Sequence, residues 1–514
     1  MSSDSPTSRV AAAYRRIAEV GRPEIWIALR DETDALADAA QVERRLAAGD
    51  DLPLAGLVVA VKDNIDVAGL PTTAGCPEFA YRPCATAAAV ERLQAAGAVA
   101  LGKANLDQFG TGLVGTRSPY GAVRNSRDPQ LIAGGSSSGP AVAVALGIAD
   151  IGVGTDTAGS VRVPAALNGI AGVKPTLGIL PTHGVVPACA SFDAVSVLAA
   201  DVGLAATAAA VMAGPDARDP RSRAWPADLP LAAPDAPRVA IPTAANLSAL
   251  SDGYRDAFER TVMRAAEAGL TVEPLDISVL LDAALLLYDG AFVAERYDAV
   301  GDFLDTAPPG ADPVVRQVIT AARSVTGVAF AADLNALACA RSAGARLLAG
   351  FDGLLLPTTT EHPTLDEVRA DPHAINRRLG TYTNFCNLLD MAAVAVPGEP
   401  TVRGTPFGVT VVVPAFHDQV AVDLAARLSG VAPALLVDKG CEVVVFDLEN
   451  FPRLEQFGGR HLGPVHTALR RGELFRISEA GLGRLAAVLP THSRMAGMEI
   501  ADGRRVVGLI AEAQ

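Results

Sequence analysis

Apolar residues recur at helical spacing over residues 9–20 and 31–48, with Arg15, Arg16, Glu43 and Arg44 filling other positions. That pattern predicts two helices, broken between them at Gly21 and Pro23. The period then changes. LAGLVVAVKDNIDV (54–67) holds a Val-rich run between Gly56 and Asp63, which predicts a buried strand ending at Lys62. Residues 85–97 return to helical spacing, and 98–105 read as a strand and its exit. Ser, Gly, Pro, Asn and Arg crowd residues 116–139, so a long loop is expected there. A small-residue helix at 140–149 and a short strand near 150–154 follow. Further on, 239–243, 351–359 and 408–414 read as strands, and helical patterning dominates 250–350. The Pro- and charge-rich segment 214–236 reads as a surface excursion. Strands alternating with helices predict an α/β fold with a mixed central sheet flanked by helices.

The apolar pattern of the main unit closes near residue 430, and CEVVVFDL (441–448) starts a fresh strand. We therefore expect a domain over 1–430 and a small α+β unit over 436–514. At 514 residues, 50% hydrophobic and 19% charged, the chain is long enough for a sizeable core. The net charge of −14, with no dense Lys/Arg run, argues against nucleic-acid binding. An anionic substrate would need a local cation. The six cysteines are sparse and form no CxxC pair, which predicts a reduced, cytoplasmic protein. The N-terminus shows no basic-then-apolar leader. No apolar run approaches the roughly 18 residues of a membrane span. Neither HExxH nor paired cysteines occur, so no metal is assigned and no cofactor is expected.

The chemistry concentrates in GGSSSGPAVAVALGIADIGVGTDTAGSVRVPAALNGIAGVKPT, residues 134–176. Three consecutive serines occupy a glycine-rich turn. Ser160 follows Thr157, Ala158 and Gly159, small residues whose backbone N–H groups could converge on one oxyanion. A serine nucleophile needs a base, and none of the seven histidines lies nearby in sequence. A lysine serves if burial holds it neutral, and Lys62, ending an apolar strand, is the candidate.

These motifs closely resemble the amidase signature family over roughly residues 20–430. The resemblance implies that family's fold and its Ser–cis-Ser–Lys triad. Lys62 in AVKDN matches the lysine, Ser136 the bridging serine after a cis peptide bond, and Ser160 in GSVRVP the nucleophile. Thr157, Ala158 and Gly159 match the oxyanion-hole backbone. The implied reaction is acyl transfer from a small-molecule amide with loss of ammonia. Pro140, just after GGSSSG, is unusual for the motif but is tolerated in a helix's first turn.

LDQFGTGLVGTRSPYGAVRN (106–125), LYDGAFVAERY (287–297) and NRRLGTYTNFCNLLDMAAVAVP (376–397) are similar to the allophanate hydrolase branch. That similarity implies substrate recognition by Tyr288, by Arg296 eight positions later, and by Gly112. Arginine offers a planar fork for a carboxylate. GTGLVG (110–115) also fits G-x-G-x-x-G, but a turn-rich segment follows where a dinucleotide-binding helix should start. Arg117, Arg124 and Arg127 read as anchors to nearby carboxylates, and Cys189 and Cys386 as small buried residues. The family implies a homodimer. Only about 75 residues follow Gly440. They resemble the end of that branch's second domain but lack its GAHLSG-type stretch; His461, His466 and His492 read as surface histidines. The alternatives are another small-amide hydrolase, an A-type amidotransferase component, and a non-catalytic interaction protein keeping the fold.

Overall fold

A computed structural model describes residues 5–511 apart from 433, 438–439, 447, 449–450, 468–470, 490–492 and 503. Its main sheet is built from β1 (Trp26–Leu29), β2 (Val58–Lys62), β3 (Val99–Ala104), β4 (Ile151–Asp156), β5 (Ala171–Lys174), β6 (Ala194–Ala199), β7 (Arg238–Pro242), β8 (Thr271–Leu275), β9 (Gly353–Pro357), β10 (Met391–Pro397) and β11 (Gly408–Pro414). The spatial order is β1-β3-β2-β4-β6-β5-β10-β11-β9-β7-β8. The sheet is mixed: β2 runs parallel to β3 and β4, whereas β4, β6, β5, β10, β11 and β9 alternate in direction.

Continuous apolar runs form the central strands because helices cover both faces. Along β2, Val59 and Val61 enter one core cluster and Val58 and Ala60 the other, the two-residue alternation of a pleated strand. The helices Ala88–Ala95, Val202–Met212 and Asp418–Ser429 pack on the first face. The helices Pro6–Val20, Glu32–Ala47 and Ser138–Ala145 pack on the second. Farther along that second face, Leu354, Leu356 and Val412 meet the helices Ser278–Ala284 and Asn384–Leu388.

Three sequence expectations shift. The small-residue helix starts at Ser138 rather than 140, which puts Pro140 in its first turn where its missing N–H costs no helical bond. The helical stretch 250–350 is interrupted by β8, a short half-buried edge strand. The excursion 214–236 has neither helix nor strand, but part of it is not surface. Leu229 and Leu231 are buried with Val437, the Leu231 N–H donates to Gly458 O at 3.3 Å, and Asp228 pairs with Arg484 at 2.9 Å. The segment is a seat for the C-terminal unit.

That unit is a five-stranded sheet of β12 (Cys441–Val445), β13 (Arg460–His466), β14 (Arg471–Ile477), β15 (Ser493–Glu499) and β16 (Arg505–Ala511), in the order β13-β14-β12-β16-β15. The helix Glu479–Val488 closes one face around Leu485, Phe475 and Leu509. Arg460 joins the unit to the main body by a nearly buried ion pair with Asp423, 2.8 Å. Among the described residues no helix is long and apolar enough to cross a membrane.

Candidate active site

Two parallel neighbours, β2 and β4, deliver Lys62 and Thr155 side by side at their C-terminal ends. Lys62 is fully buried. Its Nζ lies 2.8 Å from Ser136 Oγ, 2.8 Å from Thr155 Oγ1 and 3.2 Å from Thr155 O. Burial pulls its pKa from 10.5 down to about 7, against the opposing pull of Asp107, Asp193 and Asp156. The Gly135–Ser136 peptide bond is cis. The next residue ties the two serine segments together: the Ser137 N–H donates to Ser160 O at 3.0 Å. Ser160 is buried, and its hydroxyl meets no hydrogen-bond partner among the described residues. Of the three predicted residues, 98 positions apart at the extremes, Lys62 and Ser136 are thus in direct hydrogen-bond contact, and Ser160 is tied to the same turn through Ser137.

The Thr157–Ser160 loop turns around Asp156. This carboxylate accepts from Gly159 N–H (2.9 Å), Val161 N–H (3.1 Å) and Arg162 Nε (3.0 Å). Burial would raise Asp156, but the Arg162 guanidinium overrides it and holds the carboxyl down at about 2. The N–H groups of Thr157, Ala158 and Ser160 meet no acceptor among the described residues. Gly159 departs from expectation, because its N–H is committed to Asp156. What it supplies is shape: with φ +112° and Thr383 against its Cα, no side chain fits. Thr383 Oγ1 donates to Ala158 O at 2.6 Å, and Thr157 Oγ1 to Asp193 Oδ1 at 2.5 Å.

Arg296 is 1% exposed. Its Nη1 donates to Thr111 Oγ1 and its Nη2 to Tyr288 OH, both at 3.0 Å, and its guanidinium lies 4.9 Å from the Tyr288 ring centre. It has no carboxylate partner among the described residues, and its Nε has no acceptor. Thr111 and Tyr288 line a cavity of about 700 Å³ together with Asn376, Arg377, Gly380 and Asn384. Gly112, beside Thr111, has φ +155°, and a Cβ there would lie 2.8 Å from Asp107 Oδ2; its bareness makes room for that carboxylate. Of the three loop arginines, Arg124 does pair with a carboxylate, Glu24, at 2.8 Å. Arg117 does not: its guanidinium donates to the backbone carbonyls of Thr111 (3.0 Å) and Pro372 (2.8 Å).

A family model for amidases matches residues 9–422. The chain belongs to the amidase family. Urea amidolyase of Lachancea kluyveri is 43% identical over 411 residues, which is 79% of this chain and 22% of that protein, so the chain spans about a fifth of its length. The A-type component of glutamyl-tRNA(Gln) amidotransferase from Deinococcus deserti is 34% identical over 84% of this chain and 94% of its own. Allophanate hydrolase of Kluyveromyces lactis superposes with a TM-score of 0.86 at 32% identity, covering 99% of this chain and 93% of that one. The superposition therefore takes in the C-terminal sheet as well.

Several residues of this amidase site carried no signal in the sequence. Asp193, Thr383 and Asn387 reach the 156–160 segment from remote parts of the chain; Asn387 Nδ2 donates to Asp156 O at 2.7 Å across 231 positions. Thr155 stands just past the strand predicted near 150–154 and is not singled out by the pattern; the strand in fact runs Ile151–Asp156. Cys189 and Cys386 are buried, as expected. His461 and His466 are exposed; His461 pairs with Glu473 at 2.9 Å. His492 lies outside the described residues.

Proposed function

We propose that the chain hydrolyses allophanate (urea-1-carboxylate), releasing ammonia through an acyl-enzyme on Ser160. The observation that carries this is Arg296, a buried cation whose guanidinium donates only to the Thr111 and Tyr288 hydroxyls, with no carboxylate at ion-pair distance among the described residues. An unpaired buried charge is expensive, and a substrate carboxylate beside Arg296, Tyr288 and Thr111 would complete the site with a charge-assisted fork. A neutral amide would leave it incomplete.

The catalytic assignment is Lys62, Ser136 and Ser160, with the oxyanion held by Thr157 and Ala158 N–H and the Gly159 turn shaping the loop. In its neutral form Lys62 has two N–H groups for Thr155 Oγ1 and O and a lone pair for Ser136 Oγ. The Ser160 proton passes to Ser136 as the Ser136 proton passes to Lys62, and Ser160 Oγ attacks the carbamoyl carbon. The C–N bond breaks, the relay returns the proton to the nitrogen, and ammonia leaves. Water then attacks the ester, its proton taking the same path, to give N-carboxycarbamate and free Ser160. That product loses carbon dioxide to become carbamate.

Ammonia release from allophanate by the wild type, set against Ser160→Ala and a panel of neutral amides, tests this. Release from allophanate that Ser160→Ala abolishes is expected; release from the neutral amides alone would refute the substrate. A second reading, an ammonia-supplying amidotransferase component, draws on the Deinococcus relative and its 94% coverage. It requires activity that appears only with a partner. A non-catalytic interaction protein would keep its function in Ser160→Ala. We place the enzyme in the cytoplasm, where its six unpaired cysteines stay reduced, as a homodimer with a catalytic domain over 1–430 and a second domain over 436–514. Light scattering checks the assembly.

A further inference from the structure

The proton relay and the carboxylate anchor are joined by an unbroken line of hydrogen bonds. The Asp107 N–H donates to Ser136 O at 3.1 Å. Asp107 Oδ1 accepts from Arg117 N–H at 3.0 Å, and its Oδ2 accepts from Val114 N–H (3.1 Å) and Gly115 N–H (2.9 Å). Arg117 reaches back across the loop to Thr111 O at 3.0 Å. Thr111 Oγ1 accepts from Arg296, which donates in turn to Tyr288 OH. Every residue in this line except Tyr288 is buried. The backbone is shaped to admit Asp107: at Gly112 and at Gly135, next to Ser136, a Cβ would collide with its carboxylate.

We propose that Asp107 and Arg117 are positioning residues that set the substrate-carboxylate anchor in register with the serine relay. Asp107 stands at the junction, holding Ser136 by its backbone and the 114–117 turn by its side chain. Arg117 closes the turn onto Thr111 and so fixes the hydroxyl against which Arg296 is aimed. The guanidinium fork suits this task, because one planar group reaches both Thr111 O and Pro372 O, which a lysine ammonium cannot do with the same fixed geometry.

The inference rests on the allophanate reading, and its test separates the two. Allophanate is compared with biuret, its neutral counterpart in which an amide replaces the carboxylate, by turnover or by inhibition constant where turnover is slow. Thr111→Val and Arg117→Met should each raise KM for allophanate about tenfold, as loss of hydrogen bonds to a charged group does. Their effect on biuret should stay within about threefold. The double variant should be no worse than about the worse single one, because both break the same link. Asp107→Asn should lower kcat on both substrates and also raise KM for allophanate. Equal losses on allophanate and biuret, or effects of Thr111→Val and Arg117→Met that multiply, would overturn the coupling. If Arg117→Met fails to fold, Thr111→Val with Arg296→Met forms the cycle, and a multiplicative result there overturns it equally. A wild type inactive on allophanate would instead sink the substrate assignment.

Discussion

The activity should carry the titration of Lys62. An ordinary lysine with a pKa of 10.5 is neutral in about 3 molecules per 10,000 at pH 7. Burial brings Lys62 to about 7, so about half is neutral there, a gain on the order of 10³ in working base. In free energy the shift is about 5 kcal/mol at 1.36 kcal/mol per unit. The base works when deprotonated, so kcat/KM for ammonia release should climb about tenfold per unit below pH 6. It should reach half its plateau near pH 7 and level off above pH 8. Stability gives a second readout that needs no catalysis. Below pH 7 both folded and unfolded chains protonate Lys62, and the fold bears the whole cost of burying the charge. Between 7 and 10.5 the unfolded chain binds the proton more readily, so the cost falls as pH rises. Lys62→Met should therefore gain stability relative to wild type at pH 6, and that relative gain should shrink by about 3 kcal/mol at pH 9. Initial rates from pH 5.5 to 9.5, corrected for uncatalysed ammonia, and denaturant melts at the two pH values measure both. A rate limb centred near pH 10, or a stability difference independent of pH, would refute a neutral buried lysine as the base.

Other consequences follow from single contacts. Ser160→Ala should lose activity by a factor on the order of 10⁴ or more while its melting temperature stays near wild type, since only one unpaired hydroxyl is removed. Arg296→Met should raise KM for allophanate by at least about a hundredfold, read by steady-state kinetics, because it removes a charge-assisted fork. Gly159→Ala should abolish turnover, since its Cβ would strike Thr383 at φ +112°; an active variant in the same ammonia assay would show that the loop tolerates a side chain. Arg162→Met should cost about 3–5 kcal/mol by thermal or urea unfolding, because it strands Asp156 as a buried carboxylate.

The sheet was legible where burial on both faces leaves apolar runs, Val-rich in β2 and β11 and Leu-rich in β9, and in β4 with its glycines. It was not legible in the buried strands β6 and β10, whose alanine-rich runs fit a helix as well as a strand, nor where strands are short or half-buried: β1 has four partly exposed residues, and β8 carries Glu273 and Pro274 at the sheet edge. Arg296 shows how a site residue could be found. Val300 and Leu304, four and eight positions on, are buried on the same face of the helix Val293–Asp305. A charged residue on an apolar stripe is therefore either paired inside or waiting for a ligand. Asp193, Thr383 and Asn387 offer no such clue, because their roles come only from folding distant segments onto one loop.

The remote contacts also explain how Lys62 can stay neutral with three buried carboxylates around it. Free acids at those positions would hold the lysine protonated and disable it as a base. Each is engaged elsewhere. Asp156 is saturated by Arg162 and by backbone N–H groups. Asp107 is surrounded by three backbone N–H groups. Asp193 accepts from Thr157 Oγ1 and from the Ala188 and Cys189 N–H groups. Their fields at Lys62 are offset by these donors, and Arg296 opposes them further. Desolvation is then the larger influence on the lysine. The base is thus tuned by where the fold directs its acids, and those same acids hold the oxyanion loop and the anchor loop in place.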